Sequence, residues 1–222
     1  NQLGRSRDAI AHYDVALRLR RELLESDPRN EDYQQDLASS LQNLGDMSWS
    51  QGEVQAAHGH YSSAVRLLES LVARPDAPTD RHVNLARARN YLANVLYSQS
   101  RPSLLRFDDS MALHEMSAAT LRGLYARQPV QGIRYWLESA LFEMGSKRLA
   151  TGHPAEALPL LEEALALTRA WLAEDPGNTR ARRALAIDLG KLAEAIVESG
   201  QQQRARELMQ ESLAIREALA KQ

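Results

Sequence analysis

The sequence predicts an all-α solenoid of about nine antiparallel helices, four helix pairs preceded by a half pair. Three observations carry this. Ala, Leu, Arg, Glu and Gln dominate, all good helix formers, while Val, Ile and Thr together supply 18 residues, too few to furnish a sheet. A two-residue landmark, Leu44-Gly45, recurs as Leu92-Ala93, Met144-Gly145 and Leu192-Ala193, at steps of 48, 52 and 48 residues. Finally, Gly4, Gly52, Gly152 and Gly200 each precede the same small-large-small pattern. It reads Ala9, Tyr13 and Ala16; Ala57, Tyr61 and Ala64; Ala157, Leu161 and Ala164; and Ala205, Met209 and Ser212.

The units follow in order: a half unit over 1–29, then 30–77, 78–129, 130–176 and 177–222, all within one domain spanning 1–222. The half unit is a single helix over 5–26 that lacks its partner. The chain opens on Asn1 and not on Met, so it is expected to be a piece of a longer multidomain protein. First helices run over 32–50 and 80–98 without Pro or any Gly but Gly45. The following helix places Ala57, Tyr61, Ala64, Val65, Leu68 and Leu71 on one apolar stripe. Gly52, Gly152 and Gly200 are expected as turns just past a helix end. "SDPRN", "RPDAPTD" and "EDPGN" stop one pair and open the next, with Asp or Asn as the expected cap. Pro159 falls in the first turns of its helix and is expected to distort it slightly. The third unit has Ser100 in the glycine slot and about five extra residues, placed in "SQSRPSLLRFDD", 98–109. Gly45, Ala57 and Ala64 are expected where two helices touch.

This pattern resembles the tetratricopeptide repeat (TPR) family, whose signature is Leu-Gly on the first helix, Gly at the turn, Ala-aromatic-Ala on the second, then Pro. Leu44, Gly45, Gly52, Ala57, Tyr61 and Ala64 match it, as do Met144, Gly145, Gly152, Ala157, Leu161 and Ala164. The usual unit is shorter than the one here, about 34 residues. The resemblance implies a right-handed superhelix whose first helices line a concave groove for a peptide or partner protein. It also extends to the long-unit repeats of bacterial signalling proteins, Ser/Thr kinases among them, through "DPRNEDYQQDLASSLQNLGD".

Carried over by offset from the landmark, the groove candidates are Gln42, Asp46, Trp49, Arg87, Asn90, Asn94, Tyr97, Ser139, Phe142 and Ser146. Trp49 and Tyr97 are equally expected to pack against a neighbouring unit, because large aromatics are mostly buried. Arg87, Asn90 and Asn94 imitate part of the carboxylate clamp of some chaperone-binding members, but Asp46 would repel such a ligand. In the insertion, Arg101, Arg106 and Phe107 are either a second site or, for Phe107, a plug over core left open by the missing turn.

Chemistry finds little support. Net charge is −2, which gives no electrostatic case for nucleic acid, and no apolar run is long enough to span a membrane. The chain has no Cys, which excludes disulfides and thiolate zinc sites. Lys147 lies between Gly145 and Gly152 but inside a predicted helix, unlike the lysine of a phosphate loop. His12, His58, His60, His82, His114 and His153 are expected solvated or half-buried, His58 and His60 being two apart and on different helix faces. Glu162 with Glu163, and Asp108 with Asp109, are expected on solvated faces or at caps. No enzyme activity, cofactor or metal is therefore expected. A cytoplasmic location is expected, although a periplasmic one fits the composition as well. Two further readings stand beside the scaffold: a domain sensing a small molecule or short peptide, and homodimerisation through residues 5–26.

Overall fold

The computed structural model describes residues 15–221. Gly4, Ala9, His12, Tyr13 and the start of the 5–26 helix lie outside the described residues. The described chain consists of nine helices and no strand. They are α1 (15–26), α2 (Glu31–Ser50), α3 (Val54–Val72), α4 (Thr79–Leu96), α5 (Phe107–Arg127), α6 (Gln131–Ala150), α7 (Pro154–Glu174), α8 (Thr179–Glu198) and α9 (Gln202–Ala220). At 18–21 residues, α2 to α9 are each about 30 Å long. No described helix is long and apolar enough to cross a membrane.

The chain forms two compact bodies, divided between Ser117 and Ala118. In the N-terminal body α2 packs on α3 and α3 on α4. Its core joins Leu37, Leu41 and Leu44 of α2 to Ala57, Tyr61, Ala64, Leu68 and Leu71 of α3. In the C-terminal body α6 packs on α7, α7 on α8 and α8 on α9. There Leu161 and Leu165 meet Leu185, Leu189 and Leu192. Each fully buried leucine stabilises the fold by about 1.5–3 kcal/mol, so these seams hold the pairs together.

The landmark glycines are contact points. A Cβ on Gly45 would lie 2.7 Å from two ring carbons of Tyr61, and one on Gly145 would lie 2.6 Å from Leu161 Cγ. The other glycines close the pairs. Gly52, Gly152 and Gly200 have φ of 81°, 78° and 84°, the left-handed conformation that only Gly adopts freely. Each sits in a doubly bonded C-terminal cap: Glu53 N–H donates to Ser48 O, His153 to Arg148 O and Gln201 to Ile196 O, while the glycine N–H reaches one carbonyl further along.

Helix starts are less uniform. Asn30 accepts from the N–H groups of Asp32 and Tyr33, and Asn178 from that of Ala181. The Asp cap expected from "RPDAPTD" does not form: Pro78 holds the cap position with no side-chain bond, and Asp80 lies within the first turn. Pro78 fixes the extended entry by itself, which leaves Asp80 to face the helix dipole. α7 continues through Pro159 to Glu174.

The insertion replaces the glycine turn by other means. α4 ends at Leu96, two residues earlier than the sequence suggests. The loop then folds back on it: Leu104 N–H donates to Val95 O and Arg106 N–H to Leu96 O. The last carbonyls of α4 are thus satisfied by chain nine and ten residues downstream. Leu105, between those donors, has φ of 58°.

Candidate functional site

The first helices carry the candidate residues, and the structure divides them sharply by burial. In the N-terminal body Gln42 and Asn90 are both 3% exposed, so neither looks outward as the offset suggests. Arg87 Nε donates to Gln42 Oε1 at 3.1 Å, which ties α4 to α2. His114 stands between two asparagines of α4, its Nδ1 3.2 Å from Asn90 Oδ1 and its Nε2 3.2 Å from Asn94 Oδ1. All three members of the clamp imitation are thus engaged with side chains of this same body. Asp46 is exposed, and its Oδ1 accepts from the hydroxyl of the buried Tyr61 at 2.5 Å. Arg87, Asn94, Trp49 and Tyr97 remain half-buried.

Sequence reasoning also placed His114 wrongly. It is fully buried, not solvated or half-buried. Its neighbours on α5, Ser110 and Ser117, are buried with it and donate to Ala93 O and Ala86 O of α4. Ser110, His114 and Ser117 have the spacing of Ala57, Tyr61 and Ala64. They are the third unit's small-large-small set, written in polar residues. Each of these polar side chains meets a partner, as burial demands.

The insertion is anchored to the same helices. Trp49 Nε1 donates to Pro102 O at 2.8 Å, and the Arg101 guanidinium lies 4.6 Å from the indole centre. Phe107 meets Tyr97 edge-on at 5.2 Å, and both aromatics are half-buried. Arg106 is paired with Asp109 at 2.7 Å. Arg106 also faces His58, whose pKa is lowered by burial first and by that cation second. Leu105 is 77% exposed at the loop tip.

In the C-terminal body Ser139, Phe142 and Ser146 are half-buried, and Phe142 packs against the core. The equivalent slots of α8 are open: Ile187 and Val197 are 50% and 54% exposed, and Glu194 is exposed. Lys147 is buried within α6, 3.6 Å from Glu143. Burial, against the pull of Glu143, lowers its pKa to about 8. It has the surroundings of a core lysine, not of a phosphate ligand. The paired acids are surface groups with partners: Glu163 takes Arg122, and Glu162 takes Arg204, both at 2.6 Å.

A model of the family described as Tetratrico peptide repeat matches residues 2–98 and 138–220. Among solved structures the chain is similar to a single-residue variant of a Podosopora anserina putative kinesin light chain with nearly identical TPR-like repeats. Identity is 20%, over 100% of this chain and 91% of that one, with a TM-score of 0.62. It is also similar to BtubC (BKLC) from P. vanneervenii, at 18% identity over 97% of this chain and 92% of that one, with a TM-score of 0.58. At such identities the likeness shows the fold alone. No curated protein matches the chain.

Proposed function

Because the chain belongs to the tetratricopeptide repeat family, we propose that it is a non-catalytic protein–protein interaction scaffold whose first helices bind an extended peptide or helix of a partner protein. The observation that carries the proposal is the braced row on α2 and α4. Arg87 is held by Gln42, Asn94 by His114, and Trp49 by Pro102. A surface fixed before the partner arrives loses little side-chain freedom on binding. It also presents Arg and aromatic groups, the usual anchors of recognition. In the C-terminal body the corresponding row is Ser139, Phe142 and Ser146 on α6, with the open Ile187, Glu194 and Val197 on α8. The repeated positions build the scaffold, and the unrepeated positions differ from helix to helix, as specificity requires. The likeness of "DPRNEDYQQDLASSLQNLGD" to repeats attached to bacterial signalling proteins supports a place in the regulatory region of such a protein, a Ser/Thr kinase for example.

The test is affinity capture from source-cell lysate with the wild-type chain and with Arg87→Ala plus Asn94→Ala, both variants first shown to be folded. Proteins recovered by the wild type and lost with the variant support the row. Identical recovery by both refutes it.

A further inference from the structure

The two bodies build one corner of the repeat differently. It lies where a first helix starts, its second helix ends and the next first helix starts. In the N-terminal body Glu31 fills this corner, one carboxylate oxygen taking Arg74 and the other taking Arg81 at 2.9 Å. Leu44 and Met144 are 100 residues apart, as are Leu92 and Leu192, so the two corners align position by position. In the C-terminal body Gln131 replaces Glu31, Gly132 replaces Asp32 and Tyr135 replaces Gln35. Trp171 replaces Leu71, Ala181 replaces Arg81 and Arg180 replaces Asp80. The bridging acid is gone, and a cation stands where the other body has an acid.

A pocket of about 440 Å³ lies at this second corner, lined by Gln131, Gly132, Tyr135, Trp171, Asn178 and Arg180. Its walls are aromatic. Trp171 is 7% exposed and meets Tyr135 edge-on, with ring centres 6.5 Å apart. The Arg180 guanidinium lies 4.5 Å from the Tyr135 ring centre. That contact orients the cation without neutralising it. Arg180 has no ion pair among the described residues. The acids close by in sequence are engaged: Glu174 takes Arg134 at 2.6 Å, and Asp175 accepts from Asn178 Nδ2 at 2.9 Å. The first turns of α6 and α8 carry no acid to compete for it. A cation held beside apolar walls attracts a carboxylate more strongly than one standing in open water.

We propose that this corner is a pocket for an acidic side chain of a bound peptide, a Glu with apolar neighbours. The peptide supplies from outside the carboxylate that Glu31 supplies within the N-terminal body. Arg180 takes the charge, the Gln131 amide is placed to donate beside it, and Tyr135 and Trp171 cover the apolar neighbours. The inference deepens the scaffold reading and rests on it, since Tyr135 stands four residues before Ser139 on the face of α6 that carries Phe142 and Ser146.

The experiment titrates the full chain with acetyl-Leu-Glu-Leu-amide and with its Gln counterpart. The readout is the indole N–H signals of the three tryptophans in proton–nitrogen NMR, that of Trp171 being assigned by its absence from Trp171→Phe. The Glu peptide is expected to shift the Trp171 signal saturably, with about tenfold tighter binding than the Gln peptide. Arg180→Ala should abolish that difference. Arg183→Ala, which removes an equal charge from an exposed position of the same helix, should keep it. Gln131→Glu, which restores the acid of the other body, should fill the pocket from within and block the peptide. The proposal is overturned if the Glu peptide leaves Trp171 unmoved, if both peptides bind alike, or if Arg180→Ala and Arg183→Ala behave alike. A lysate capture that fails while the Glu peptide shifts Trp171 refutes the row on α2 and α4 and leaves the pocket standing. The reverse pair of results refutes the pocket alone.

Discussion

Gly45→Ala and Gly59→Ala make the same chemical change in two helices of one body, and the structure assigns them opposite signs. A Cβ at Gly59 meets nothing within 4 Å. That substitution gains helix propensity only and should stabilise by about 1 kcal/mol. At Gly45 the same methyl would lie 2.7 Å from Tyr61 Cε1 and Cζ and 2.9 Å from Cδ1, well inside ordinary contact. The ring has nowhere to go. Tyr61 is fully buried, its hydroxyl donates to Asp46, and its face stacks on Tyr91 with centroids 5.6 Å apart. Overpacking of this kind costs about 1–3 kcal/mol, and loss of the Asp46 bond adds about 1. After the propensity gain, Gly45→Ala should destabilise by about 1–3 kcal/mol. Urea unfolding followed by far-ultraviolet circular dichroism measures both variants. In a Tyr61→Ala background the penalty should vanish, since the obstructing ring is gone. If Gly45→Ala proves as stable as Gly59→Ala, close helix contact is not the reason for the landmark glycine.

Three further outcomes are expected. Arg134 is 2% exposed and held by Glu174 at 2.6 Å and Tyr125 at 3.0 Å. Glu174→Ala, a change at a largely exposed residue, should therefore cost about 1–3 kcal/mol in denaturant unfolding, and a cost near zero would show that Tyr125 alone suffices. Burial lowers the Lys147 pKa to about 8, so the folded chain binds fewer protons than the unfolded one between about 8 and 10.5. Stability from this group should rise with pH across that window by at most about 3 kcal/mol, and Lys147→Met should remove the rise in unfolding curves taken at pH 8 and 10. Leu105 holds φ of 58° while 77% exposed, so Leu105→Gly should raise the unfolding midpoint by relieving about 1 kcal/mol of backbone strain; a lower midpoint would mean that its side chain contributes to holding the loop.

Helices, joints and contact glycines were legible because they repeat: a helix end that needs a left-handed residue asks for Gly at each turn, and Gly52, Gly152 and Gly200 supply it. The polar seam of Ser110, His114 and Ser117 was hidden by the insertion, which shifted its register and removed the glycine that marks the pattern. Its composition also disguised it, since Ser and His do not read as core. The candidate residues of the first helices were legible in position but not in orientation. An offset from Leu44 or Leu92 fixes where Gln42 and Asn90 leave the helix. Whether a long amide then turns to solvent or to the next helix depends on the partner waiting there, here Arg87 and His114.

The residue after the landmark Leu or Met and the large residue of the following helix lie against each other: Gly45 against Tyr61, and Gly145 against Leu161. Two helices that meet this closely inherit each other's volumes. Exchange of modules between arrays, by recombination in a genome or by design, is therefore free to cut at the Pro-bearing joints, where whole pairs travel intact. A cut at the glycine turn would set Ala93 where Gly45 meets Tyr61, with the collision that a Cβ on Gly45 makes. The unit of inheritance in this fold is the mated pair, not the helix.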